Sequence, residues 1–316
     1  MPTAHTIYIS GSIAFDRIMD FPGFFKDHIL PDQIHVLNVS FTVKTLKKNF
    51  GGTAANIAYS LSLLGQSGIV LGAVGDDFDE YAAWLERHDI STSAITRVSG
   101  DWTASATIMT DLANNQITAF HPGALFTPTN YDFPALQSED WAILAPGNLE
   151  DMKRYKTVYQ ERKIRHIFDP GQILPILEPD ALKRLIDGAS ILIVNDYEAE
   201  LIQHQCHWTM EELRAAVETL IVTRGREGSE VWSPRFTGKI GIAEPNGIVD
   251  PTGAGDAYRS GLLAGLLRGF PLEQCCRLGA TAASYPIEYH GTQEHGYTLD
   301  QFRQRYESSF NESCPL

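Results

Sequence analysis

The segment DPTGAGDAYRSG at 250–261 runs straight into the apolar stretch 262–267. Thr252 and the glycines therefore sit at the mouth of a helix, where first-turn N–H groups lack carbonyl partners and the positive end of the dipole points outward. Such a mouth attracts an anion, above all a phosphate. Gly253 and Gly255 have no Cβ, so the backbone around Ala254 can turn tightly and bring several N–H groups against phosphate oxygens. Asp256 follows at once, and a carboxylate beside a transferring phosphoryl group is useful chiefly when it takes a proton from an attacking hydroxyl. An acid in the first turn also suits ordinary capping, because the dipole favours it anyway. A second segment, GGTAAN at 51–56, opens another helix. Its small residues let a ligand lie against backbone while Asn56 offers a donor and an acceptor; the competing interpretation is a plain loop before an N-cap.

These residues need a scaffold, and from about residue 140 short apolar runs at 141–145, 164–168, 191–194 and 220–223 alternate with helix-period segments at 180–187, 197–204 and 211–218. The alternation predicts strand–helix units feeding a mostly parallel sheet. Two more helices follow, at 256–268 closed by Gly269 and at 272–283, with Pro271 where a helix start tolerates it. Nearer the N-terminus we expect strands at 7–10 and 69–73 and helices at 56–64 and 79–87. Residues 13–48, with alternation over 37–43, and residues 105–120 read instead as β-rich insertions. Two such insertions predict one discontinuous small sheet over an edge of the larger domain, the place for a lid. The expected division is a large α/β domain of residues 1–12, 49–97 and 126–316, and a small β lid of residues 13–48 and 98–125.

With 316 residues, 43% hydrophobic and 20% charged, the chain can bury a large core. Its net charge of −14 and lack of a dense basic run argue against a nucleic-acid partner, since phosphate neutralisation depends on Lys and Arg. Cys206, Cys275, Cys276 and Cys314 show neither CxxC spacing nor a paired framework, which suggests reduced thiols rather than zinc or disulfides. No charged-then-apolar leader opens the chain and no apolar run reaches the ~18 residues of a membrane span, so a cytoplasmic protein with no membrane partner is expected. A Walker-type GxxxxGK[ST] is absent from the sequence, which excludes a P-loop enzyme at the level of motifs.

The GGxxxN block near residue 51 and the DPTGAGDA block near residue 250 resemble the two signature segments of the ribokinase-like (PfkB) kinases, in the same order and over essentially the whole chain. The resemblance implies a ribokinase-like α/β fold, ATP with Mg2+, and room for a monovalent cation. It implies Asp256 as the catalytic base, with Gly253, Ala254 and Gly255 forming the anion hole. Asn195 and Glu198 match an NxxE element that organises magnesium through water, and Thr223, Gly225 and Gly228 match a TxGxxG turn along the nucleotide, with Thr252 beside it. The segments GSIAFD at 11–16 and NQI at 115–117 through FHPGA at 120–124 look like the bacterial adenosine kinase branch. By that resemblance Ser12, Asp16, Gly52 and Asn56 bind the nucleoside, Phe120 packs on the base, Gln172 contacts it and Phe41 reaches it from the lid edge. The sequence departs from that branch at Ala106, where an aromatic residue is expected, and at His295, where a tryptophan is expected. The implied activity is phosphorylation of the 5′-hydroxyl of adenosine or a related nucleoside, by a homodimer joined through its lid. A sugar kinase with the same machinery and a catalytically silent ligand-binding protein are the alternatives.

Overall fold

The computed structural model describes residues 5–29, 38–113 and 115–316. The chain opens with β1 (Ile7–Ser10), β2 (Ala14–Asp20) and β3 (Thr45–Gly51), then α1 (Thr53–Leu63), β4 (Ile69–Leu71), β5 (Ala73–Val74) and α2 (Asp79–Arg87). Next come β6 (Thr96–Arg97), β7 (Ala104–Thr110), β8 (Gln116–His121), β9 (Trp141–Leu144), α3 (Leu149–Glu161) and β10 (Arg165–Phe168). A series of α4 (Pro179–Ile186), β11 (Ile191–Asn195), α5 (Asp196–Cys206), α6 (Met210–Ala215), β12 (Thr219–Thr223), β13 (Ser229–Trp232) and β14 (Thr237–Ile240) follows. Three helices close the chain: α7 (Ala254–Leu267), α8 (Leu272–Ala283) and α9 (Leu299–Phe310).

Eight strands form one sheet in the order β14-β13-β12-β11-β10-β9-β1-β4. The six from β12 to β4 are parallel, and β13 and β14 close the other edge antiparallel. Parallel strands covered on both faces have little use for polar residues, and β11 accordingly reads ILIVN with its first four residues buried. Successive side chains then face opposite sides of the sheet. Ile191 and Ile193 join the core shared with α1, α2, α7 and α8, whereas Leu192 and Val194 join the core shared with α3, α4 and α5. The result is the expected layering, a mostly parallel sheet between two helical layers.

A separate four-stranded sheet runs in the order β3-β2-β7-β8. β2 pairs parallel with β7, and the outer pairings are antiparallel. Pairing of β3 with β2 continues to Gly51 opposite Ala14, three residues beyond the boundary expected at 48. The alternating stretch expected at 37–43 begins at Leu37, outside the described residues; 38–43 carry no strand, and Val39, Phe41 and Val43 are half-buried instead. Their alternation reflects packing rather than a ladder: Phe41 lies edge-on to Phe21 and Phe25, with ring centroids 4.9 and 5.4 Å apart. The strand expected at 69–73 is split, because β5 leaves the large sheet to pair with β6. Two helices without a sequence expectation, α3 and α9, have polar sequences and bury only a narrow stripe each, such as Phe302 and Tyr306 of α9.

Candidate active site

The loop before α7 is folded by Asp250, whose Oδ1 accepts from the Thr252 N–H at 2.9 Å and the Thr252 hydroxyl at 2.6 Å. Gly253 then caps the helix at φ 84°, a left-handed setting that a side chain rarely adopts, and a Cβ there would also stand 3.2 Å from Thr292. In the first turn of α7 the Ala254 N–H reaches the Pro251 carbonyl at 3.3 Å, while the Gly255 and Asp256 N–H groups have no partner among the described residues. At the start of α1, Gly52 sits at φ 90°, and a Cβ on it would fall 2.6 Å from the Ser12 carbonyl oxygen and the Ala14 nitrogen. Only glycine lets β1, the start of β2 and the mouth of α1 meet so closely.

Those two helix mouths face each other. The Asn56 Nδ2 donates to Asp256 Oδ2 at 2.8 Å, while Asn56 Oδ1 takes the Gln293 Nε2 at 2.9 Å and lies 2.9 Å from the Thr292 hydroxyl. Asp256 keeps partial solvent contact but is surrounded by protein, and burial pushes its carboxyl up to about 6. The Asn56 hydrogen bond and the Arg259 charge oppose that rise, whereas Asp169 and Asp16 add to it. A carboxylate so placed is ionised at neutral pH yet basic enough to accept a proton. Arg259, one turn further along α7, is buried; its Nη2 donates to Asp169 Oδ1 at 2.8 Å, its Nε to Asp169 Oδ2, and its Nη1 to the Gly255 carbonyl at 2.9 Å. This two-pronged pair fixes the first turn of α7 against the end of β10.

Asp16 lies on the face of the small sheet turned toward this point. A Cβ added to Gly51 would meet its Oδ2 at 2.5 Å. Burial, and then the charge of Asp250, raises the Asp16 carboxyl to about 6. Strand pairing sets Asn49, Asp16, Ala106 and Phe120 side by side in one row across the four strands. Residues directly opposite each other share a face, so the Asp16 carboxylate and the Phe120 ring, 54% exposed, stand over the same surface with only the Ala106 methyl between them.

The other expected residues divide in two. Ser12, Asn195 and Thr223 sit at or just beyond the carboxyl ends of β1, β11 and β12, the edge where open α/β sheets bind ligands, and Asp169, which is not among them, follows β10 at the same edge. Asn195 and Glu198 form a reciprocal capping box on α5: Asn195 Oδ1 accepts from the Glu198 N–H at 2.7 Å and Glu198 Oε2 accepts from the Asn195 N–H at 2.8 Å. Burial raises the Glu198 carboxyl, against the Asn195 hydrogen bond. Gly225 begins a short 3-10 turn and Gly228 ends it, with a Cβ at Gly228 falling 2.0 Å from the Ile240 carbonyl oxygen. Ser12 is turned inward, its Oγ accepting from the Thr53 N–H at 3.0 Å. Gln172 is exposed on the turn after Asp169. Phe41 does not join the Asp16 row; it is held in the cluster with Phe21, Phe25 and His28, beyond the far end of β7. His295 is 1% exposed and packs edge-on to Tyr59, so the departure at that position alters the core behind α1 rather than the Asp16 row.

Four polar residues beside Asp256 carry no assigned role from the sequence: Asp169, Arg259, Thr292 and Gln293. Arg259, Thr292 and Gln293 lie in the stretches 256–259 and 291–294, whose wording resembles the adenosine kinase branch, but their roles show only in their burial around Asp256 and Asn56.

Residues 23–298 match the pfkB family of carbohydrate kinases. The nucleoside kinase of Methanocaldococcus jannaschii is 33% identical over 273 residues, covering 85% of this chain and 89% of that protein. The nucleoside kinase of Burkholderia thailandensis in complex with inosine superposes with a TM-score of 0.86 at 35% identity, over 98% of this chain and 99% of that one. Its complex with ADP-inosine superposes with a TM-score of 0.84 at 37% identity, over 98% and 97%. The two glycine-bearing helix mouths meet at Asp256 within a match that spans most of the sequence, and the chain belongs to the pfkB family of carbohydrate kinases, phosphotransferases with an alcohol acceptor.

Proposed function

We propose that the protein transfers the γ-phosphoryl group of ATP to the 5′-hydroxyl of a nucleoside, adenosine first among purine nucleosides, giving the nucleoside 5′-monophosphate and ADP. The observation that carries this reading is the row joining Asp16 to Phe120 on the face turned toward Asp256. A carboxylate accepts two hydrogen bonds from vicinal ribose hydroxyls, and an aromatic face suits a flat heterocycle. The small Ala106 leaves the surface between them open. Relatives described as nucleoside kinases, and an inosine complex among the structural neighbours, support the same acceptor class.

In the reaction, Asp256 takes the proton of the 5′-hydroxyl as the new O–P bond forms and the bond between the β–γ bridging oxygen and the γ-phosphorus breaks, releasing ADP. The N–H groups of Gly253 to Gly255 and of Asp256 steady the charge on the transferring oxygens, aided by the dipole of α7. Asn56 and Gly52 line the ribose side, while Asn195, Thr223, Gly225, Gly228 and Thr252 line the nucleotide side. By the family resemblance Gln172, exposed on the turn after Asp169, contacts the base. Magnesium neutralises triphosphate charge in reactions of this kind. Among the described residues no group of three or more His, Cys, Asp or Glu side chains could cage a metal. That fits a hard ion carried mainly by phosphate oxygens and water. Glu198 has one carboxylate oxygen left over from its capping box for such a water.

Steady-state kinetics with nucleosides and free sugars test the reading. A purine nucleoside is expected to exceed ribose in kcat/KM by at least about tenfold, or ~1.4 kcal/mol, which stacking on one aromatic ring supplies. Phe120→Ala should erase most of that margin while leaving ribose turnover unchanged. Equal or better turnover of ribose or fructose by the parent protein assigns it to sugars instead.

A further inference from the structure

Gln293 is 1% exposed, and all its polar hydrogens and its carbonyl oxygen are engaged. Its Oε1 accepts from the Trp84 Nε1 at 2.9 Å, and its Nε2 donates to Asn56 Oδ1 at 2.9 Å and to the Tyr81 hydroxyl oxygen at 2.5 Å. Tyr81 in turn donates to the carbonyl of Gly51, the last residue of β3, at 2.8 Å. Three N–H donors therefore point the same way, from Trp84 to Gln293 to Asn56 to the Asp256 carboxylate. An asparagine amide turns over easily, and turned over it would aim oxygen at Asp256. Donors on Asn56 Oδ1 prevent this, and Gln293 is the reliable one. The Thr292 hydroxyl also lies 3.0 Å from the Phe50 carbonyl, and its single hydrogen serves one acceptor at a time.

We propose that Gln293 is a positioning residue for phosphoryl transfer: it locks the Asn56 amide with its nitrogen toward Asp256 and ties that setting to the end of the lid strand β3. The inference rests on Asp256 being the base. Without the lock, Asp256 loses a donor that favours its charged form, and its affinity for a proton rises. The other groups facing Asp256 are Arg259 on α7, Asp169 after β10, Asp16 on β2 and Tyr81 on α2. Only Tyr81 touches Gln293, and burial holds its hydroxyl protonated, well above the ordinary range.

The test is the pH profile of Gln293→Met. We expect the acid limb of kcat to move upward by about half a pH unit or more, kcat at pH 6 to fall at least about twofold, and KM for ATP to stay within about twofold. In an Asn56→Ala background the same substitution should add no further shift, because the effect passes through Asn56. A lowered melting temperature with an unmoved limb, or additive shifts in the double variant, overturns the proposal. If Gln293→Met does not fold, the neutral Gln293→Leu also lacks the Nε2 donor and must show the same upward shift. Full activity in Asp256→Asn would refute the base itself, whereas an inactive Asp256→Asn with an unmoved limb in the Gln293 variants refutes only the role of Gln293.

Discussion

Replacing Asp256 by asparagine separates a catalytic base from a helix-capping acid, because the two roles predict opposite changes in turnover and in stability. The amide keeps the volume, can still accept from Asn56 Nδ2, and leaves the Arg259–Asp169 pair intact. It cannot take the hydroxyl proton, so kcat should fall by about two to four decades, or ~3 to 5 kcal/mol of transition-state stabilisation. Affinity for ATP should hold or tighten, since a negative charge beside the γ-phosphate is gone. Stability works in the other direction. The folded carboxyl titrates at about 6, above its ordinary value near 4, so this group favours the fold below about pH 4 and that contribution is lost as pH rises through about 6. At pH 8 the ionised carboxylate costs the fold up to ~3 kcal/mol by that shift, and partial solvent contact reduces the effect to about 1 kcal/mol. The neutral amide carries no such cost, so the Asp256→Asn variant should melt about 2 °C higher than the parent at pH 8 and no higher at pH 4. Steady-state kinetics and thermal melts at the two pH values measure both effects. A kcat within threefold of the parent, with a lower melting temperature at pH 8, would show that Asp256 serves only the dipole of α7.

The parent kcat/KM should fall with acid below about pH 6, where Asp256 protonates; because Asp16 titrates in the same window, the limb should be steeper than one proton allows, and Asp16→Asn should return it to a single-proton slope. We further propose that the protein is a homodimer joined through the small sheet, whose face opposite Asp16 carries Leu46, Met19, Met109 and Ile117 in one row, with Leu46 66% and Ile117 43% exposed. Light scattering should give a dimer mass for the parent and a monomer mass for Met109→Lys with Ile117→Lys, and an unchanged mass in the variant sets this interface aside.

Much of the fold is legible in the sequence because parallel strands buried on both faces leave short unbroken apolar runs, as in ILIV at 191–194, and because glycine and proline punctuate the helices around them. The amphipathic helix α3 escapes such reading, since its buried Met152, Tyr155 and Tyr159 are interleaved with Glu150, Asp151, Lys153, Arg154 and Lys156. The small sheet is harder still: the apolar alternation of Val39, Phe41 and Val43 looks like a strand, yet it is spent on aromatic packing while the more polar Thr45–Gly51 does the pairing. At the site, the residues that carry a backbone requirement are visible, because Gly52 and Gly253 occupy positions closed to other side chains. Asp169, Arg259 and Gln293 are not, since what makes them matter is contact across 90 residues or more, and no local pattern encodes it.

The phosphorylated product is the most direct readout of the central claim. Incubated with ATP, magnesium and adenosine or inosine, the protein should form ADP and the nucleoside 5′-monophosphate in equal amounts, with phosphorus NMR placing the new ester on the 5′-oxygen. Formation of ADP with inorganic phosphate and no nucleotide, or of a sugar phosphate from free ribose or fructose with the nucleosides untouched, would contradict it.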